Sequence, residues 1–157
     1  MKKIALLIVC LIAGMATSFA QRGGDKALGL NLNYGSETSF GIGTRFQYNL
    51  TDEVRIEPEF NYYLKHDHRS FWDLGLNFSY LFPVAQDVTL YPLVGLGYGH
   101  SKLHGNGHSS TDQFQAKFGA GAEFQLMPSI KMIIEPKFQL RDRCNQFIIT
   151  AGMAYCF

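Results

Sequence analysis

The sequence has few cysteines, and none of them has a metal-binding spacing. Only three occur among 157 residues: Cys10, Cys144 and Cys156. Cys10 lies in an N-terminal segment that is predicted to be removed, and the absence of a CxxC pair argues against a zinc site. Cys144 lies before the last predicted strand and Cys156 lies near its end. Twelve residues of strand span about 40 Å, which no disulfide can bridge. We therefore expect free thiols and no disulfide scaffold.

An excess of charge of one sign is also missing. The chain has 14 Lys and Arg against 13 Asp and Glu, and two of the basic residues, Lys2 and Lys3, belong to the N-terminal segment. This near-neutral balance argues against a nucleic-acid partner, because binding to phosphates needs a basic surface. Beyond the first twenty residues, no apolar run approaches the length of a transmembrane helix. The length is that of a single domain.

The first twenty residues have the organisation of a secretory signal peptide. Lys2 and Lys3 form a basic start, residues 4–16 are apolar, and small residues occupy the cleavage positions in Ser18-Phe19-Ala20. Cleavage is expected after Ala20. The predicted organisation is a signal peptide over residues 1–20 and one exported domain over residues 21–157.

A two-residue alternation runs through the rest of the chain. In the first run, Leu28, Leu30, Leu32 and Tyr34 alternate with small or amide residues, and successive side chains of a strand point to opposite faces. Seven further runs follow over residues 40–50, 54–64, 72–82, 88–98, 114–126, 130–140 and 147–157. Eight runs of membrane-spanning length, each with one apolar face, are typical of a membrane β-barrel.

The composition of the two faces indicates which one lines the lumen. One face is crowded with Phe, Leu, Ile and Tyr, and the other is rich in glycine, amides and charge. An eight-stranded barrel has an interior only just wide enough for side chains, which suits the small and charged face. A soluble, lipocalin-like barrel would instead hold its apolar face inside. The sequence therefore predicts an all-β fold, an eight-stranded antiparallel up-and-down transmembrane β-barrel with apolar side chains towards lipid.

Eleven charged residues fall on the face assigned to the lumen. The predicted lumen charge network comprises Arg45, Arg55, Glu57, Glu59, Asp73, Lys117, Glu123, Lys131, Glu135, Lys137 and Arg141. Six are basic and five are acidic, and we expect them to pair, because unpaired buried charges cost several kcal/mol each. Such a network would plug the tube. A narrow passive channel is the alternative, although eight strands leave no aqueous channel of porin width.

The sequence also repeats itself. FGIGTRFQ at 40–47 recurs as FGAGAEFQ at 118–125, and IEPEF at 56–60 recurs as IEPKF at 134–138, so both pairs are 78 residues apart. This indicates a four-stranded unit used twice, which gives the even strand number of closed membrane barrels. Both chain ends then lie on the periplasmic side, with turns at 51–52, 83–87 and 127–129. Outer loops are expected at 35–38, 65–70, 101–112 and 142–145.

Three prolines fall inside predicted strands. Pro58, Pro92 and Pro136 each remove one donor from the hydrogen-bond ladder. A closed barrel has no edge where such residues could be placed. β-Bulges are one way to accommodate them, and the sequence leaves the accommodation open.

These features together resemble a known family. The signal peptide, the eight amphipathic strands, the Glu-Pro-x-Phe motif and the final Ala154-Tyr155-Cys156-Phe157 are similar to the small outer-membrane β-barrel-domain proteins of Gram-negative bacteria. These are often labelled porin family and include the OmpX and OmpA types. The resemblance implies a monomeric outer-membrane protein in contact with lipid, without catalytic residues or cofactor. It also implies that Tyr155 and Phe157 form part of a signal read by the barrel-assembly machinery.

Two other functions have some support in the outer loops. All five histidines lie in or beside these loops: His66, His68, His100, His104 and His108. Neutral imidazole binds zinc or copper well. His66, Asp67, His68 and Ser70 supply the residue types of lipid A palmitoyltransferases, but that chemistry needs an apolar lumen for an acyl chain. The sequence favours a non-enzymatic barrel with a structural, adhesive or surface-interaction role. It does not identify a surface ligand.

Overall fold

The protein consists of β-strands over the part that the computed structural model describes, residues 23–36, 39–66, 69–103, 110–141 and 145–157. The strands are β1 (Lys26–Gly35), β2 (Ser39–Asn49), β3 (Val54–His66), β4 (Arg69–Tyr80), β5 (Phe82–Ala85), β6 (Val88–Leu103), β7 (Ser110–Met127), β8 (Ile130–Arg141) and β9 (Gln146–Cys156). Within these residues, no helix is long and apolar enough to cross a membrane.

The strands form one sheet that closes on itself. Strands β1 to β4 and β6 to β9 pair antiparallel in chain order, β4 pairs with β6, and β9 pairs back with β1. β5 continues β4, because both pair with β6 and only Leu81 separates them. When β4 and β5 are counted as one strand, the barrel has eight strands, and we call each of these eight a stave. The predicted eight-stranded antiparallel barrel is confirmed.

Burial alternates along each stave with the two-residue period. On β1, Leu28, Leu30 and Leu32 are between 52% and 70% exposed, whereas Asn31 and Asn33 are at most 2% exposed. Because successive side chains point to opposite faces of a strand, the apolar residues cover the outside and the polar residues fill the lumen. This is the apolar-out arrangement of membrane barrels, as the sequence predicted.

Two of the three strand prolines, Pro58 and Pro136, are accommodated without bulges. Pro58 and Pro136 point outward, and the register of β2 with β3 and of β7 with β8 is the same on either side of them. The ladder omits only the pair of each of these two prolines, such as Ala120 with Pro136, and the adjacent pair of the glutamate before it, because proline has no N–H to donate. The register of β6 with β4 and β5 places Pro92 opposite Tyr80, next to Leu81, where the ladder between β4 and β5 is interrupted. No bulge is present at Pro58 or Pro136, since a missing donor requires no inserted residue.

The strands reach further than the sequence pattern indicated. β6 ends at Leu103 and β7 begins at Ser110, so residues 101–103 and 110–112 of the predicted outer loop belong to the ladder. Polar side chains are compatible with a strand that rises beyond the membrane into water. At the other end, β5 occupies part of the predicted turn 83–87 and leaves Gln86 and Asp87 as the turn.

The two ends of the barrel differ in their connections. At one end the strands are joined over residues 50–53, 86–87 and 128–129, and we call this the short-turn end. At the other end they are joined through residues 36–38, 67–68, 104–109 and 142–145, and we call this the loop end.

Candidate functional site

Charged side chains converge inside the barrel. They occupy inward positions of β2, β3, β4, β7 and β8. Ten of the eleven residues that were assigned to the lumen are at most 4% exposed: Arg45, Arg55, Glu57, Glu59, Asp73, Lys117, Glu123, Lys131, Glu135 and Lys137. The eleventh, Arg141, is half-buried at the loop end of β8. Burial of so many charges is compatible with stability only where each has a close partner, so their pairing decides what the lumen can do.

Arg45 occupies the centre of the network. Its guanidinium binds Glu135 in bidentate fashion, with Nη1–Oε1 and Nη2–Oε2 distances of 2.5 and 3.0 Å, and Nη1 lies 3.3 Å from Glu57. Arg45 Nε donates to Asn31 at 2.6 Å, and the Tyr91 hydroxyl donates to Glu135 at 2.6 Å. Bidentate pairing of this kind combines two charge-assisted hydrogen bonds with a fixed geometry.

Two lysines and two carboxylates form a second group towards the loop end. Lys117 Nζ lies 2.7 Å from Glu59 Oε1 and 2.9 Å from Asp73 Oδ1. Lys137 Nζ lies 3.2 Å from Glu59 Oε2 and 3.2 Å from Glu135 Oε2. Lys137 therefore joins this group to the group around Arg45.

A third group surrounds Glu123 towards the short-turn end. Arg55 contacts its carboxylate through both terminal nitrogens, with an Nη2–Oε2 distance of 3.0 Å, and Lys131 Nζ lies 3.2 Å from Oε2. Gln47 Nε2 donates to Glu123 at 3.2 Å and to Glu57 at 2.7 Å. Gln47 thus connects the third group to the centre, and the charges form one continuous network along the lumen.

The internal repeat explains why the ion pairs cross the lumen. β3 and β8 carry the two copies of the Ile-Glu-Pro motif and lie four staves apart in the eight-stave barrel, on opposite sides. Glu59 and Lys137 occupy matching repeat positions, 78 residues apart, and they bind each other at 3.2 Å. Arg45 and Glu123 are likewise matching positions with opposite charge. The two halves of the chain therefore supply complementary charges to one interior.

Large apolar side chains also enter the lumen, and the sequence reasoning gave them no role. Tyr63, Phe71 and Ile148 form a buried cluster near the loop end, and the Arg141 guanidinium lies 4.1 Å from the centroid of the Phe71 ring. Two further clusters consist of Leu81, Tyr91 and Leu93, and of Ala27, Ile133 and Ala154. In the sequence, these clusters could have been recognised because each contains apolar residues at positions of the otherwise polar, lumen-facing side of a strand. Such clusters lower the local dielectric around the charges, which strengthens each ion pair.

The predicted metal ligands are mostly beyond the described side chains. His100, on β6, places Nδ1 2.5 Å from Asp112 Oδ1 and packs its ring 5.6 Å from Trp72. The side chains of His66 and Ser70 and all of Asp67, His68, His104 and His108 lie outside the described residues. In the part of the chain that is described, no three His, Cys, Asp or Glu residues are grouped as a metal site would require.

The last aromatic residues lie on the outside of the closing strand. Tyr155 and Phe157 are 57% and 66% exposed, and their ring centroids are 6.5 Å apart. Phe157 N donates to Lys26 O at 3.0 Å, so the end of the chain is tied to the start of β1.

A comparison with protein families accounts for this architecture. The family described as outer membrane protein beta-barrel domain matches residues 4–138, which is most of the chain. The protein belongs to this family. Its barrel is therefore an outer-membrane barrel. A comparison with curated proteins found no match.

Solved outer-membrane barrels share the fold. The N-terminal β-barrel domain of Pseudomonas aeruginosa OprF has a TM-score of 0.73 at 15% identity, over 87% of this chain and 100% of that one. Neisserial surface protein A has a TM-score of 0.69 at 12% identity, over 86% and 97%. Ail of Yersinia pestis has a TM-score of 0.64 at 17% identity, over 85% and 99%. At such identities the likeness concerns the fold alone.

Proposed function

We propose that this protein is a non-enzymatic outer-membrane barrel whose lumen is plugged by salt-bridged charges. Its role is structural, adhesive or in surface interaction, and the segments at the loop end carry that role. The observation that supports the plug is the pairing across the lumen, in which Arg45 binds Glu135 and Lys137 binds Glu59. Side chains held by partners on opposite walls leave no continuous path for a solute.

The surroundings of the barrel follow from the same proposal. The signal peptide is removed after Ala20, and the monomeric barrel contacts outer-membrane lipid through its apolar outer face. The outward position of Tyr155 and Phe157 at the end of β9 supports their role as a signal for the barrel-assembly machinery. A second proposal is that the five histidines in or beside the loop-end segments bind a metal ion, and their number at this end supports it.

Single-channel recording tests the plug directly. We expect the refolded, signal-cleaved protein in planar bilayers to show conductance near baseline. Glu57→Gln combined with Glu135→Gln keeps the side-chain volumes but leaves Arg45 without its counter-charges, so the free energy of unfolding should fall by about 3–5 kcal/mol and conductance should rise. Glu53→Gln, on an exposed carboxylate outside the lumen, is the matched control and should change neither quantity.

One outcome would contradict the proposal that the lumen is plugged. A large and steady conductance of the unmodified protein contradicts the plug and supports the alternative function, a narrow passive channel.

A further inference from the structure

A row of hydrogen-bonding side chains crosses the outer face of the barrel near the loop end. Four residues stand opposite one another on β3, β4, β6 and β7 and point outward: Tyr62, Trp72, His100 and Asp112. We call them the outer polar row. The plug gives them no role, because its charges lie on the inward face.

Ring contacts and an ion pair fix the groups of this row relative to one another. The Trp72 ring centroid lies 5.6 Å from that of His100 and 6.3 Å from that of Tyr98. His100 Nδ1 lies 2.5 Å from Asp112 Oδ1, and the Tyr98 hydroxyl also hydrogen-bonds to Asp112. An indole, an imidazole and a carboxylate are therefore held beside one another on one surface.

The opposite flank, formed by β8, β9, β1 and β2, presents a different surface at the loop end. The last outward residues of these four strands are apolar or aromatic and exposed: Leu140, Phe147, Tyr34 and Phe40. β6 and β7 are also longer, with 16 and 18 residues against 10 and 11 in β1 and β9. A girdle that only anchors the barrel at the membrane surface surrounds it evenly, so a row on one flank points to a localised ligand.

An apolar surface continues directly below the outer polar row. The next outward positions on the same staves are exposed apolar or aromatic residues: Phe60, Leu74, Tyr98 and Phe114. Two residues of strand cover about 7 Å, so a molecule whose polar head meets the row has apolar wall immediately beneath it. This wall is continuous with the outward apolar face of the outer-membrane barrel, which indicates a ligand that is itself a lipid.

The groups of the row fit a sugar as the polar head. The Asp112 side chain is 59% exposed, and an ionised carboxylate has about four acceptor sites. His100 and Tyr98 use two of them, which leaves capacity for two neighbouring sugar hydroxyls to donate charge-assisted hydrogen bonds. The face of the Trp72 ring carries partial negative charge, against which the C–H groups of a pyranose ring pack. Because Asp112 balances any positive charge on His100, the pair does not favour an anionic head.

We propose that the outer polar row binds the pyranose headgroup of a glycolipid. The sugar packs on Trp72 and donates two hydroxyls to Asp112, and the acyl chains lie along the apolar positions below. This site rests on the proposed function, since it requires that the outer face contacts lipid, and it makes that contact selective on one flank. It does not depend on whether the lumen conducts.

The fluorescence of Trp72 reports on this site directly, because the chain has only one tryptophan. The refolded, signal-cleaved protein is placed in dioleoylphosphatidylcholine bilayers with an increasing mole fraction of glucosyl dioleoylglycerol. EDTA is present so that no metal ion binds His100. The acyl chains of one lipid or the other are brominated, and bromine quenches tryptophan at close range. Comparison of the two series gives the lipid composition at Trp72 relative to that of the bilayer.

We expect the glucosyl lipid to be enriched about fivefold over phosphatidylcholine at Trp72, the effect of roughly one hydrogen bond. Asp112→Ala should abolish the enrichment. Tyr34→Ala, which removes an exposed tyrosine at the loop end of the opposite flank, is the matched control and should preserve it. Brominated dioleoylphosphatidylglycerol, an anionic lipid without a sugar, should show no enrichment.

Three results would overturn the proposal. Quenching that follows the bulk composition in the unmodified protein would contradict a selective site, whether or not any variant folds. Equal enrichment of phosphatidylglycerol would mean that charge and not a sugar is recognised. A saturable response of Trp72 to methyl glucoside in bilayers without glycolipid would identify a dissolved sugar as the ligand.

Failure of the site is distinguishable from failure of the proposed function. Quenching by both brominated lipids without a preference contradicts only the sugar site. If neither brominated lipid quenches Trp72, this face does not contact lipid, and both proposals fail.

Discussion

At the scale of single residues, lumen-facing glycines set how closely neighbouring staves can approach. A Cβ on Gly119 would lie 2.3 Å from the backbone oxygen of Pro136 and 2.9 Å from Lys137 Cα. A Cβ on Gly75 would meet Glu59 and Lys117 at 3.0 Å, but only through side-chain atoms. A side chain at position 119 would therefore collide with the backbone of the neighbouring strand, whereas a side chain at position 75 would meet only side chains that can move.

Gly119→Ala should therefore destabilise the barrel by about 1–3 kcal/mol, the usual cost of overpacking. Gly75→Ala is the control and should cost less, because the ends of Glu59 and Lys117 can shift. Denaturant unfolding of the refolded proteins measures both values. Equal losses would show that backbone approach at Gly119 is not the limiting contact.

A second prediction at this scale concerns the outer face. Leu76 points outward from the middle of β4, between Pro58 and Leu96 of the neighbouring staves. In a lipid bilayer, Leu76→Arg should lower the free energy of unfolding by about 2–4 kcal/mol, whereas Leu126→Arg, near the short-turn end, should cost about 0–1 kcal/mol. If Leu76→Arg unfolds with the stability of the unmodified protein, this face does not lie in hydrocarbon.

At the scale of strands, the prolines weaken particular hydrogen-bond ladders without changing their register. Between β7 and β8 the ladder omits the pair of Ala120 with Pro136 and the adjacent pair of Gly121 with Glu135, and it resumes in the same register at Ala122 and Ile134. Pro58 has the same position in the other repeat, between β2 and β3. The two copies of the repeat thus share one local defect, which a residue with an N–H group can repair.

Pro136→Ala should restore that ladder bond. The new amide at position 136 should exchange slowly with deuterium, and the stability should change by no more than about 1 kcal/mol, because the added bond is offset by the lost rigidity of proline. Pro128→Ala, in an exposed turn, is the control and should give a rapidly exchanging amide. Fast exchange at position 136 would mean that the two strands are separated there for another reason.

At the scale of the whole molecule, the closure of β9 on β1 makes the number of staves even. Both ends of the described chain consequently lie at the short-turn end. A tag inserted at Asn106, in the connection between β6 and β7, should be labelled on intact cells, and a tag at Gln86 should be labelled only after the outer membrane is permeabilised. Labelling of Gln86 on intact cells would invert the topology.

Much of this fold could be predicted because a strand has a period of exactly two residues. That period assigns every residue of a run to one face, so the inward position of Glu135 follows from the outward position of Ile134, its neighbour on the same strand. Strand ends were harder to predict. The pairing of His100 with Asp112 extends a ladder beyond the alternation, because polar residues above the membrane no longer need to alternate.

The partners of the lumen charges could not be predicted in the same way. Arg45 binds Glu135, which lies 90 residues away in the chain. That contact depends on the relative register of the strands around the barrel and on how far each side chain extends across the narrow lumen. The buried cluster of Tyr63, Phe71 and Ile148 depends on the same register.

By itself, the sequence determined the number of staves, the face of each residue and the charges that enter the lumen, because all three follow from local periodicity and from the 78-residue repeat. Only the tertiary structure decided which charges bind each other, how the prolines are accommodated and that a cavity lined in part by Cys156 lies at the short-turn end. The charge pairing and the cavity depend on closure of the sheet, which brings distant residues to a common axis at distances that no local pattern encodes.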